Sequence, residues 1–188
     1  MKHIALIAVS AVALSLSGCG KKADEGAGGM SNADGTSSMA GASPTMAASP
    51  GQTFADTAAA SDTFEIESSR LAERKASSAA IKKFAAQMIK AHTASTAKLK
   101  TAASSASPAI VPSPQLTGAQ QQALDAMSSQ NGAAFDSAYA RAQVDQHQAT
   151  LDTLKAYAAT GDVPPLKAFA GEMVAPVTGH LNMAKGLK

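Results

Sequence analysis

The sequence predicts an all-α domain, an antiparallel four-helix bundle with a short extra helix in the long loop between its second and third long helices. Three observations predict it. From Phe54 onward, apolar residues recur at three- and four-residue spacing over long segments, the period of one face of a helix. The 188 residues are 45% apolar but only 4% aromatic, with no Trp and abundant Ala, the best helix former and a side chain that lets helices pack closely. Pro, Gly and Asn fall between the periodic segments rather than inside most of them.

The first helix is expected over about 54–75 and the second over about 78–103. Pro108, Pro112 and Pro114 then enforce a loop, because Pro lacks a backbone donor and disfavours helix in the residue before it. A short helix over about 118–129 ends at Asn131 and Gly132, and a long one over about 133–160 is stopped by Gly161. Asp162 is expected to cap the last helix, which opens at Pro164 and Pro165, where Pro is tolerated, and should kink at Pro176. Four long helices with two tight connections and one longer one make a bundle.

Upstream of this domain the chain reads differently. Lys2 and His3 precede an apolar run from Ile4 to Leu14, too short for a membrane span and typical of an export signal. Leu16-Ser17-Gly18-Cys19 follows and resembles the lipobox of bacterial lipoproteins, which implies cleavage between Gly18 and Cys19 and lipidation of the Cys19 thiol. An ordinary signal with a chance Cys is the alternative. The domain expectation is a signal peptide over 1–18, lipidated Cys19 with a disordered tether over 19–52, and the bundle over 53–188. The tether is rich in Gly, Ser and Ala, with Pro44 and Pro50; its Met30, Met39 and Met46 are too scattered to suggest a copper(I) cluster. Acyl chains would hold the protein to a membrane. Gly20 after the Cys points to the periplasmic face of the outer membrane.

Composition excludes several functions. One Cys rules out a disulfide scaffold or a Cys-based metal centre, and a net charge of +2 does not fit a strongly basic nucleic-acid binder. No Gly-x-Ser-x-Gly elbow and no Gly-rich phosphate loop is present. Arg70, Arg74, Lys75, Lys82 and Lys83 cluster at the first turn between helices, as a solvated bundle end would.

The histidines are more informative. At 100° per residue, His92 shares a face with Ile81, Ala85, Met88, Leu99 and Ala103; His147 with Ala140, Val144, Leu151, Leu154 and Ala158; and His180 with Leu166, Phe169, Met173, Ala184 and Leu187. Three helices each turn one imidazole to the core, and Glu65 on the first helix shares a face with Phe54, Ala58, Ala72 and Ala76. Counting from the turns at 1.5 Å per residue, His147 and His180 differ in level by roughly 4 to 5 Å, and Asp62 lies nearer the His92 level than Glu65 does.

Phe64-Glu65-Ile66-Glu67 with Leu71-Ala72 and Lys75-Ala76-Ser77, Phe84 through Ile89 with His92, Phe135-Asp136 with Tyr139 and Gln143 through Gln148, and Pro176 with His180-Leu181 stand in order along the four helices. In these stretches the chain resembles the DUF4142 family of exported bacterial proteins, which implies a ferritin-like bundle and leaves the activity open. The sequence departs from that pattern at Ala91, where the family usually carries Asp, so a carboxylate that could orient His92 is expected to be absent, which counts against a metal role for His92.

Two readings of the polar positions follow. In one, Glu65, His92, His147 and His180 bind zinc, copper or iron, ions suited to imidazole. In the other they form a buried layer, bonded to one another, to Asp62, Tyr139 or water, that fixes helix register. Di-iron carboxylate chemistry requires Glu-x-x-His on two helices, whereas Ile89, Val144 and Val177 stand three residues before the histidines. No catalytic residue, protein partner or nucleic-acid partner is indicated. The sequence reading is therefore a lipid-anchored envelope protein with a binding or structural bundle, or a periplasmic metal-binding or stress-protective protein.

Overall fold

In the computed structural model, residues 48–187 are described, and they form five helices. The export signal, Cys19 and most of the tether lie outside the described residues. The elements are α1 (Pro50–Lys75), α2 (Ala79–Ser104), α3 (Gly118–Ser128), α4 (Gly132–Thr160) and α5 (Pro164–Lys185). Among the described residues no helix is long and apolar enough to cross a membrane.

α1 begins four residues before the expected Phe54. The Ser49 hydroxyl accepts from Gln52 N–H at 3.1 Å and Pro50 occupies the first turn, a start signal hidden in a stretch that otherwise reads as tether. Gly51 is buried there beneath Val163; a Cβ on it would lie 2.5 Å from the Val163 Cγ2. α3 carries a full capping box, Thr117 with Gln120. Gly132 opens α4 at φ +58°, the left-handed region that favours glycine.

Two expectations about the last connection change. Asp162 does not cap α5: its Oδ1 accepts the Tyr157 hydroxyl at 2.8 Å, and Val163 takes the cap position without a side-chain bond. Gly161 does end α4, but at φ −55° rather than in a left-handed cap; what it supplies is room, since a Cβ would lie 2.6 Å from the Tyr157 ring. α5 continues through Pro176, whose missing N–H leaves the Glu172 carbonyl without its usual donor.

Contacts along the helices fix the topology. Ser61 meets Thr150 and Ser69 meets Tyr139, so α1 and α4 run antiparallel. A three-residue turn and the Asp62–His92 contact set α1 antiparallel to α2, and His92 meets His180 while Lys98 meets Glu172, so α2 and α5 are antiparallel as well. The tight α4–α5 turn completes an up-down-down-up bundle. Its one long crossover is the segment 105–117 with α3. This segment leaves the end where Gln52 bonds the Val111 carbonyl and reaches the opposite end, where Lys75 contacts Gln130 and Asn131.

The core is two apolar halves. Phe54, Leu99, Leu151, Leu154, Leu166 and Phe169 fill one end, and Phe64, Ile81, Phe84, Met88, Phe135 and Tyr139 fill the other. Between them lies a polar belt. Ser61, Asp62, Glu65, Ser68, Ser69, His92, Gln143 and His147 are all buried, at a level where the apolar pattern of each helix is interrupted.

Candidate metal centre

Periodicity places one histidine on each of three helices facing inward, and the bundle brings them to one level. Their ring centroids form a nearly equilateral triangle: 5.6 Å from His92 to His147, 5.7 Å from His92 to His180 and 5.5 Å from His147 to His180. Each ring offers a nitrogen such that all three lie within 4.8 Å of one another. A zinc ion with Zn–N bonds of about 2.0–2.1 Å spaces tetrahedral ligands roughly 3.4 Å apart.

The outer nitrogens of two rings are already engaged. His92 Nδ1 lies 2.8 Å from Asp62 Oδ1, and His147 Nδ1 donates to the Gln143 carbonyl at 2.8 Å. This assigns the Nδ1 hydrogens outward and leaves His92 Nε2 and His147 Nε2 buried with no partner among the described residues. His180 is half-buried, and its Nδ1 is also buried and unpartnered. Metal-binding histidines typically engage their second nitrogen with a carboxylate or backbone carbonyl in this manner.

Asp62 corrects the expectation drawn from Ala91. The carboxylate that orients His92 comes from α1 rather than from the preceding residue on α2, and it also takes a share of the Thr96 hydroxyl at 3.2 Å. Glu65 occupies a different place. Its Oε1 stands 3.5 Å from His147 Nδ1, whose hydrogen is directed to Gln143, and among the described residues neither Glu65 oxygen accepts a hydrogen bond of ordinary geometry, though the Gln143 side chain lies close enough to favour its charged form. The convergent set is the three histidines, with Glu65 at its edge.

Electrostatics follow from burial. Desolvation pushes the Glu65 carboxyl up to about 7, opposed by charge on His92. Desolvation likewise depresses His147 to about 3 and His180 to about 4, and the neighbouring His92 adds to both shifts. His92 goes the other way. Burial opposes its charge, but the Asp62 hydrogen bond and the Glu65 and Asp62 carboxylates outweigh that cost and raise it. The neutral imidazoles of His147 and His180 are the form that ligates a metal.

The rest of the belt is better satisfied. Ser61 and Thr150 share a hydrogen bond at 2.8 Å, Ser69 and Tyr139 another at 2.8 Å, and the Gln143 amide donates to Ser68 at 3.2 Å. Asp136, in phase with His147 but three turns away, plays no part in the site. It accepts from the Ser77 and Ser78 N–H groups at 3.0 and 2.9 Å and from the Ser77 hydroxyl, tying α4 to the α1–α2 turn.

Those contacts join stretches that carry the family resemblance: Phe135-Asp136 meets Lys75-Ala76-Ser77, and the Glu65 and His147 stretches meet in the belt. Comparison with curated proteins and with solved structures finds no match. The family model DUF4142, a domain of unknown function, matches residues 36–187, and the chain belongs to that family.

Proposed function

We propose that this chain is a lipid-anchored cell-envelope protein whose bundle binds a divalent transition-metal ion, of the zinc or copper class, through His92, His147 and His180. The convergence of three imidazoles carries the reading: one ring nitrogen from each of three helices lies within 4.8 Å of the other two, and each ring has a buried nitrogen with no hydrogen-bond partner among the described residues. Burying such groups unpaired costs about 1 to 3 kcal/mol each, so a purely structural polar layer would be expected to pair them. A cation bound by all three nitrogens removes that cost. An all-imidazole set suits zinc, copper(II), nickel or iron. Asp62 and Glu65 place negative charge beside the ion without joining the convergent set.

Binding only to the folded state raises stability by an amount set by ligand concentration over Kd. Titration of zinc and copper(II) into the purified, chelator-stripped chain should raise its melting temperature, and His147→Ala should remove the rise. No shift at micromolar metal would overturn the reading.

The anchor rests on Leu16-Ser17-Gly18-Cys19, and the Gly20 that follows favours the outer membrane. Cys19→Ser should abolish acylation and release the protein from the membrane fraction; a variant that still carries lipid would exclude this anchor.

A further inference from the structure

We propose that Asp62 is the positioning residue of the metal site: acting through His92, it fixes which nitrogen that ring presents to the ion and sets the affinity of the whole site. This rests on the metal-binding reading above. Asp62 is buried on α1, one turn before Glu65, and its carboxylate is directed at α2. Oδ1 holds His92 Nδ1 at 2.8 Å while Oδ2 shares the hydroxyl of Thr96, one turn beyond His92. Both oxygens are thus committed to one turn of α2, and the ring between them has little freedom to rotate. Nδ1 keeps its hydrogen, and the partnerless Nε2 is left as the ligand atom.

The three ligands are consequently unequal. His92 Nδ1 has an anionic partner and His147 Nδ1 a neutral carbonyl 2.8 Å away, whereas in His180 Nδ1 is itself the unpartnered nitrogen and no such bond behind the ring is made among the described residues. A carboxylate behind a ligating imidazole makes the ring a stronger donor and fixes its orientation, and losing such a partner typically weakens metal binding about 10- to 100-fold. Glu65 does not serve His147 in this way, because the Nδ1 hydrogen of His147 already points to Gln143. The hold on the ion is therefore concentrated on the α1–α2 side of the bundle, with α5 contributing the least restrained ligand.

Competition titration with a zinc chelator on the full chain tests this, comparing wild type with Asp62→Asn, His92→Ala and Asp136→Asn. Asp62→Asn keeps the side-chain shape and should weaken zinc binding about 10- to 100-fold. Asp136→Asn alters a bonded carboxylate outside the site and should leave zinc affinity unchanged. Nitrogen-15 NMR of the zinc-bound wild type should show the metal on His92 Nε2 with hydrogen retained on Nδ1, and this decides the matter even if Asp62→Asn fails to fold. Wild-type affinity in Asp62→Asn, an equal loss in Asp136→Asn, or zinc on His92 Nδ1 would each overturn the proposal while leaving the metal site standing. Absence of zinc binding by the wild type would overturn both.

Discussion

Asp136 and Glu65 are both buried carboxylates on the inner faces of the bundle, yet their surroundings are opposite. Asp136 accepts from two backbone N–H groups and a hydroxyl at the α1–α2 turn, whereas neither oxygen of Glu65 accepts a hydrogen bond of ordinary geometry among the described residues. Burial of a charged group is tolerated when hydrogen bonds replace water and is costly when they do not. The Asp136 end behaves as a structural lock. Among the described residues the central belt leaves the Glu65 oxygens, three histidine nitrogens and Gln143 Oε1 without hydrogen bonds of ordinary geometry, a condition that metal binding at the histidines would relieve in part.

Breaking the lock should give the largest stability effect. Asp136→Ala removes three hydrogen bonds to a buried carboxylate that tie α4 to the α1–α2 turn, and a loss on the order of 3 kcal/mol is expected by urea denaturation. Zinc affinity of the remaining folded protein should be unchanged. A fall in affinity equal to the fall in stability would show that the two regions are not separable.

Acid should act on the belt rather than on the lock. His147 at about 3 and His180 at about 4 lie below the unfolded value of about 6.5, so between those limits the unfolded chain binds protons that the folded one refuses. Stability therefore falls as pH drops through that window. Glu65, held at about 7, has the opposite sign: its folded form keeps a proton that the unfolded form loses, which adds stability below about 4.5 that disappears as pH rises through 7. His92, raised above its ordinary value, contributes stability that is fully present below about 6.5 and so changes little across this window. Two groups against one leave a net loss of stability from pH 6.5 to 4.5 in the metal-free protein. Urea midpoints at the two pH values check this, and a midpoint that rises on acidification contradicts it.

Relieving the unpartnered carboxylate should stabilise the apo fold. Glu65→Gln removes the charge while keeping the volume, and a gain of about 1 kcal/mol is expected at pH 8, where the native carboxyl is ionised. A loss of that size would mean that Glu65 has a stabilising partner. The smallest change is at the far crossover, where Thr117→Ala removes the capping box of α3 and should cost about 0.5 to 1 kcal/mol, leaving metal affinity intact.

Helix identity and order were legible because they rest on apolar period and on Pro and Gly. The inward phase of His92, His147 and His180 came from the same arithmetic. Level counting also placed Asp62 nearer His92 than Glu65, as the 2.8 Å contact now shows. What sequence could not supply was partnership across helices. Ala91 suggested that His92 had no orienting carboxylate, since the neighbour on its own helix is visible in sequence while the one on α1 is set by packing. The lock was hidden for the same reason: Asp136 and Ser77 are 59 residues apart. The start of α1 was obscured because Ser49-Pro50 is both a cap and ordinary tether composition.

The most direct test of the central claim is X-ray absorption on the zinc-loaded protein with a measured zinc-to-protein ratio. One tightly held zinc per chain is expected, with three imidazole nitrogens at about 2.0–2.1 Å, falling to fewer imidazoles or to no bound zinc in His180→Ala. Zinc held by carboxylate oxygens elsewhere, or none retained after gel filtration, would contradict it.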